Sequence, residues 1–336
     1  MTRLETETID DPEALARLSP EWWELWRRAG ATPFQSPAWL VPWWRHFHPG
    51  TLLCVAVRDG GRLVGLAPLY IEDGDQGRRI LPVGISISDY HDVLIDPAAA
   101  RDAGAALVEH VCNHQGLWDG WDLEELAPDA AALALPGPDG CEETADAQSA
   151  CPVLAFPATA QDLGEVIPAR KLRKLRMARH RAERRGATVV RRIADAEAAV
   201  FLQTLCDLHD ARWKSRGEDG LLGDERVRRF QEEALPGLTR AGFVRLYGME
   251  IDGRVVGAYY GFLHRACAYA YLGGFDPDFA YESPGTVLMG YAIGEALREG
   301  AREFHFLRGR EPYKYEWGAL DRWNRRRSFR RVPAYA

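Results

Sequence analysis

VAVRDGGRLVGLAPLYI (55–71) and YGMEIDGRVVGAYYGFL (247–263) decide how this chain folds. Each is an apolar run, a turn containing Asp-Gly or Asp-Gly-Gly, then Arg, an aliphatic residue, Val and Gly. Asp-Gly between alternating apolar runs predicts a β-hairpin, because the tight turn needs residues that accept positive φ. Outward from each hairpin the same order follows. After the first come a strand over 80–86, a helix over 97–112 and a strand over 121–126; after the second, a strand over 267–273, a helix from 283 to 300 and a strand over 303–307. This self-similarity predicts an internal duplication. The alternative is two unrelated α/β halves that share a common turn. Hairpin, strand, helix, strand predicts the α/β class, with a mixed sheet in each half and domains over 1–155 and 156–336.

Further helices are predicted over 12–30, 37–46, 168–185, 195–213 and 224–239, and a long second hairpin strand over 62–71. Residues 127–152, rich in Ala, Pro, Gly and Asp, read as a linker, and 308–336 as an aromatic and basic tail. Trp22, Trp23, Trp26, Trp39, Trp43 and Trp44 are either core or a surface that stacks on sugar rings.

The chain has 336 residues, 46% hydrophobic and 27% charged, which suits a water-soluble protein of about two domains. No apolar run approaches the ~18 residues of a membrane span. The acidic start has no apolar segment of the secretory kind. Six cysteines are scattered without a C-x-x-C pair, which argues against zinc or dithiol chemistry. A cytoplasmic location is expected. The net charge of −7 hides an asymmetry: residues 1–150 hold 10 basic against 25 acidic side chains, the remainder 32 against 24. The second half is therefore the expected home of an anionic ligand.

Six segments together resemble the CelD/BcsL-type acetyltransferases, with two tandem Gcn5-type N-acetyltransferase (GNAT) folds and a kinship to the Fem-type aminoacyl transferases. They are FQSPAWLVPWWRHF (34–47), SDYHDVLIDP (88–97), RKLRKLR (170–176), LHDARWKSRG (208–217), GGFDPDFAYESPGTVLMGYAIGEAL (273–297) and FLRGREPYKYEWG (306–318). The resemblance implies acyl transfer, first of all acetyl, from acyl-CoA to an amine by direct attack, with no metal and no covalent enzyme intermediate. Fem-type relatives draw an aminoacyl group from tRNA instead. A non-catalytic scaffold, for example for a polysaccharide synthase, is the reading outside enzymes. One departure stands out. Ordinary GNAT enzymes seat the CoA pyrophosphate on an R/Q-x-x-G-x-G/A loop, and Tyr281-Glu282-Ser283-Pro284-Gly285-Thr286 has one Gly and no leading Arg or Gln.

Ser283, Gly285 and Thr286 open a helix whose free N–H groups suit phosphate, although the same residues serve plain capping. Gly273 and Gly274 permit a close approach of backbone to ligand; the resemblance implies that this strand's N–H binds the acyl carbonyl. Asp276 is a candidate base, and Asp-Pro is equally ordinary turn chemistry. In the tail motif, Arg308 and Lys314 are candidates for holding phosphate or a carboxylate, Glu311 for taking a proton and Tyr313 for giving one to the leaving thiolate. Lys314 is one of only four lysines among 42 basic residues. His91 beside Asp92 is a candidate general base from the first half. The helix over 170–185 carries nine Lys and Arg and one acid. It is either a solvated face or a surface for an anionic partner, tRNA or a membrane.

Overall fold

The computed structural model describes residues 4–75 and 77–332. In chain order the elements are β1 (Glu5–Ile9), α1 (Pro12–Arg17), α2 (Ser19–Ala29), α3 (Pro37–Phe47), β2 (Thr51–Leu52), β3 (Cys54–Asp59), β4 (Arg62–Ala67), β5 (Leu69–Gly74), β6 (Gly77–Pro82), β7 (Leu94–Ile95), α4 (Ala100–Asn113) and β8 (Gly120–Leu126). Then come β9 (Cys141–Ala155), α5 (Ala169–Arg185), β10 (Thr188–Arg192), α6 (Ala198–Lys214), α7 (Glu225–Arg240), β11 (Val244–Ile251), β12 (Arg254–His264), β13 (Cys267–Phe275), α8 (Pro284–Arg298), β14 (Glu303–His305), α9 (Pro312–Glu316) and β15 (Leu320–Arg331). The chain divides between Ser149 and Ala150 into two compact units, and the stretch from Trp323 on returns to the first. Among the described residues no helix is long and apolar enough to cross a membrane.

In the first unit, strands in the order β1-β3-β4-β7 form one sheet, and β15-β8-β6-β5-β2 run side by side in another. In the second unit the order is β10-β11-β12-β13-β14, continued by the end of β9. The two hairpins hold the same second and third places, β3-β4 and β11-β12. Their turns match as well: Gly60 and Gly61 have φ of 55° and 82°, Asp252 and Gly253 49° and 76°, the paired positive values of a type I′ turn. In each hairpin the register slips after the residue that faces the shared glycine, Val57 opposite Gly65 and Met249 opposite Gly257. Each glycine lets a helix come close. A side-chain carbon on Gly65 would lie 3.6 Å from Ala103 of α4, and one on Gly257 2.8 Å from Leu288 of α8. Each half also has one parallel strand pair that brackets its helix, β6 with β8 and β13 with β14.

Four expectations need correction, each for a local reason. The helix over 12–30 is two helices that meet at Leu18 and Ser19, where Pro20 cannot donate to the preceding turn. The strand over 62–71 breaks at Pro68 and divides between two sheets. Residues 127–152 are not all linker, because β9 begins at Cys141. The basic tail is largely β15, which pairs with β8. Several of its arginines are taken up by ion pairs: Arg326 and Arg330 reach the fully buried Asp122 at 3.0 and 2.9 Å, and Arg327 reaches Glu143 at 2.7 Å. The tryptophans are core, with Trp22 and Trp39 fully buried and bonded through Nε1 to Gln35 O and Ser88 Oγ.

Around the second unit's sheet the helices take opposite faces. Neighbouring residues of a strand point to opposite sides, and Gly257 pairs with Phe275 while Ala258 pairs with Gly274. The Gly257 side faces Leu288 and Pro284 of α8, whereas the Gly274 side meets the backbone of Leu208 and His209 in α6. Because Gly274 touches helix backbone, no rotamer change relieves a larger residue there. Gly274→Ala is expected to lower stability by about 2 kcal/mol, read as a shifted urea midpoint with unchanged m. A midpoint equal to wild type would mean that α6 does not rest on β13.

Candidate active site

Everything in the site follows from two strands that part. β13 and β14 are parallel and pair only from Cys267 to Tyr269 and from Glu303 to His305. Beyond that, β13 stays with β12 as far as Phe275. The chain after β14 follows β9 instead, with the Phe306 N–H donating to Pro152 O at 2.9 Å and the Gly309 N–H to Ala150 O at 3.1 Å. A cavity of about 340 Å³ lies at the split, bounded by β13 from Ala270 to Phe275, where its ladder with β14 has ended. Strand carbonyls and N–H groups left without a neighbour are strong hydrogen-bonding groups that a ligand can satisfy.

The start of α8 forms one wall, through Ser283, Gly285 and Thr286. Ser283 sits in the left-handed region, at φ 56°, and its side chain makes no cap hydrogen bond. Pro284 has no N–H, and Thr286 and Val287 turn theirs back to Ser283 O at 2.9 and 3.2 Å. Gly285 is left as the first-turn donor. Arg181 of α5 donates to Ser283 Oγ at 3.2 Å and stacks on Tyr281 at 4.9 Å. α5 can lie this close because Leu175 rests on Gly290, where a side-chain carbon would come within 2.6 Å.

The tail motif forms another wall. Tyr313 lines the cavity. Burial, with Glu311 nearby, pushes its hydroxyl up to about 12, so it holds its proton at neutral pH. Lys171 also lines the cavity, held 2.9 Å from Glu316 and 4.4 Å over the Trp317 ring. Lys174 joins the same carboxylate at 2.7 Å, and the two ammoniums pull Glu316 down to about 2. From the other face of the sheet come Arg212 and Arg216, at the end of α6.

Residues 169–315 match a family model described as an acetyltransferase (GNAT) domain. The parallel pair β13 and β14, the start of α8 and every cavity-lining residue but Trp317 fall within that match. Among solved structures the chain resembles FemX, with TM-score 0.66 and 12% identity over 96% of both chains. It also resembles the C-terminal domain of a putative lysylphosphatidylglycerol synthetase from Agrobacterium fabrum, with TM-score 0.58 and 13% identity over 96% of this chain and 93% of that one. A tandem GNAT protein from the clavulanic acid biosynthesis pathway aligns over 99% of this chain and 100% of its own, with TM-score 0.50 and 17% identity. At such identities the likeness is one of fold, and the fold is two GNAT-like halves. No curated protein sequence matches the chain.

The structure brings together Gly273, Gly274, Ser283, Gly285, Thr286 and Tyr313 around the cavity of the GNAT domain. Other candidates have different work. Lys314 is buried and donates to Leu307 O at 3.1 Å, Arg308 O at 2.6 Å and Gly309 O at 3.2 Å, and it lies 3.0 Å from Glu311. Three donors meet three carbonyls, so the ammonium has no proton left for phosphate. It latches a loop in which Leu307 and Gly309 both take positive φ, 60° and 108°. Arg308 contributes its carbonyl to that latch, and Glu311 is Lys314's counter-charge. Asp276 accepts from the Asp278 N–H at 3.0 Å and pairs with Arg254, which is the turn reading. His91 and Asp92 belong to the first unit. The His91 ring reaches Glu124 O at 3.1 Å, and Asp92 accepts from the N–H groups of Val93, Ala131 and Ala132, each at 2.8 Å.

Lys171, Arg212 and Arg216 were missed as site residues, although RKLRKLR and LHDARWKSRG contain them. The signal was a cation on the inner face of an amphipathic helix: Lys171 begins the buried stripe Lys171, Leu175, Ala178, Ala182. Cys267, Glu303 and His305 bring possible metal-ligand atoms within 4.8 Å of one another. Glu303 is already held by Arg322 at 2.9 and 2.7 Å and by His305 at 3.0 Å, so its charge is spent within the protein.

Two outcomes follow from these partners. Lys314→Met leaves three carbonyls without donors and is expected to destabilise the protein by about 3 kcal/mol, with the loss seen in a thermal melt as well as in activity. A melt unchanged from wild type would show that the latch is not structural. His209, under Gly274, accepts from Trp213 Nε1 at 3.0 Å, and burial holds it down at about 4. An unfolded histidine titrates near 6.5. As pH falls through the window from ~6.5 to ~4 the unfolded chain gains a proton that folded His209 refuses, so stability falls. The slope of unfolding free energy against pH is expected to flatten in His209→Gln, and an unaltered slope would rule the residue out.

Proposed function

We propose that the protein is an N-acyltransferase that moves an acyl group, first of all acetyl, from acyl-CoA to an amine by direct attack, with the donor in the second half. The split between β13 and β14 carries this reading, because it offers unpaired strand N–H groups beside an anion-favouring helix start. The donor's phosphates take the Gly285 N–H and the positive end of α8, with Arg181 close by. The acyl carbonyl lies along the β13 edge at Gly273, whose N–H points away from β12 and stabilises the oxyanion of the tetrahedral intermediate. The amine forms the new bond to carbon, and the sulfur leaves as thiolate. Tyr313 gives that thiolate its proton. Lys314 acts through the loop it holds and so positions Tyr313. Among the described lining residues there is no carboxylate, so the amine's proton passes to water in the cavity.

The CelD/BcsL-type resemblance supports, as part of this proposal, a cytoplasmic protein of polysaccharide or envelope metabolism. The one-glycine start of α8 favours a second donor, aminoacyl-tRNA, since it departs from the usual CoA loop. The exposed face of α5, with Arg173, Arg176, Arg179 and Arg184, is then a surface for the polyanion. A non-catalytic scaffold is the third reading.

Calorimetric titration with acetyl-CoA separates these. Saturable binding and mass-spectrometric detection of an acetylated amine are expected. Tyr313→Phe should lower kcat by ~100-fold with little change in acetyl-CoA affinity. Binding of charged tRNA and not of acetyl-CoA would replace the donor; binding without turnover over a broad amine panel would favour the scaffold.

A further inference from the structure

The lining of the second unit's cavity is unbalanced in charge. It contains Lys171, Arg212 and Arg216, and among the described lining residues no Asp or Glu. Lys171 is accounted for by Glu316 and Trp317. Arg212 is not. It is half-buried, with its guanidinium 5.1 Å from the Phe275 ring and 6.0 Å from the Trp213 ring. Its Nε is buried without a hydrogen-bond partner. The carboxylate two residues earlier, Asp210, is paired with Arg228. Arg216, one helical turn on, stacks 5.8 Å from Trp213 and adds a second positive charge beside the first. Burial, then Arg216, holds the Arg212 guanidinium below its ordinary value. Burying a cation beside a like charge is unfavourable unless an anion offsets it, and a planar guanidinium fork fits an oxyanion in two-point contact.

The anion that completes this pair belongs to the acceptor and not to the donor. α8 offers a donor the Gly285 N–H, with Arg181 beside Ser283, whereas Arg212 and Arg216 come from α6, which packs on the Gly274 face, and Arg212 reaches to the Phe275 ring. A donor whose phosphates are met at α8 leaves these two arginines to the other substrate. Resting on the acyltransferase reading above, we propose that Arg212 and Arg216 are the acceptor clamp, so that the acceptor is an amine whose skeleton also carries an oxyanion, a carboxylate or a phosphate.

The test uses matched ligands on the full chain, with CoA present at saturation. N-acetylglycine is compared with N-acetylglycinamide, and O-phosphoethanolamine with ethanolamine, by calorimetric titration. At least one anionic member is expected to bind ~10-fold or more tightly than its uncharged or cationic partner. The first pair tests a carboxylate and the second a phosphate. Arg212→Gln should abolish that preference, Arg212→Lys restore part of it, and Arg216→Gln weaken it. Acetyl-CoA affinity and the thermal melt should stay at the wild-type values in each variant. Where amines turn over, the loss should appear in KM and not in kcat. No preference in either pair, a preference that survives Arg212→Gln, or a loss of acetyl-CoA affinity in that variant would each overturn the clamp. Failure of the wild-type protein to bind acetyl-CoA at all would instead overturn the acyl-CoA reading on which it rests.

Discussion

Strand β13 cannot keep both of its neighbours. For three residues it pairs in parallel with β14, and then each strand goes with a different antiparallel partner, β13 with β12 and the chain after β14 with β9. Antiparallel pairing is somewhat the more stable per residue, and here both antiparallel ladders continue while the parallel one stops. The parting is then fixed from three directions. Gly274 seats α6 on β13, Leu175 seats α5 on Gly290 of α8, and Lys314 gathers the carbonyls of Leu307, Arg308 and Gly309 on the far side. A backbone edge that is exposed and also immobile is what a preorganised oxyanion site requires. On the acyltransferase reading, the Lys314 latch therefore serves the chemistry without touching it.

The hairpins were readable because their information is local. Asp-Gly turns, alternating apolar residues and the following glycine all act within a few positions, and both hairpins even slip register at the matching place. β9 was hidden because CEETADAQSACPVLA (141–155) has few β-branched or aromatic residues. It becomes a strand where its end pairs with β14. β15 was hidden because LDRWNRRRSFRR (320–331) reads as a polyelectrolyte until buried Asp122 and Glu143 are brought to it from far along the chain. Tertiary context overrides propensity in both.

The same distinction sorts the site. Ser283, Gly285, Thr286, Gly273 and Gly274 are backbone devices, and backbone devices leave signs in sequence. Lys314 did not, because its rarity says nothing about which oxygens surround its ammonium. Arg212 was lost among 38 arginines. What sets it apart is a carboxylate that went to Arg228 instead, a choice made only when α6 and the following turn pack together.

The duplication also bears on the proposal that the donor sits in the second half. In the first unit the helix that follows the hairpin, α4, is led in by Asp96. Its carboxylate accepts the Ala98 N–H at 3.1 Å and is held by Arg28 at 2.7 Å and Arg62 at 3.2 Å. That carboxylate caps the short turn 97–99, and α4 begins directly after it at Ala100, so a fixed negative charge stands close to the positive end of the helix. In the second unit the corresponding approach ends in Ser283, whose side chain makes no cap bond and whose neighbour Pro284 removes a donor without adding an acceptor. Arg254, the residue that matches Arg62 in the repeated hairpin, likewise binds an aspartate, Asp276, which caps the turn after β13 as Asp96 caps its own. The arginine, the aspartate and the Asp-Pro turn are kept in both copies, and what differs is the chain between turn and helix: Asp96 stands four residues before Ala100 of α4, Asp276 eight before Pro284 of α8, which leaves the start of α8 without a fixed carboxylate beside it.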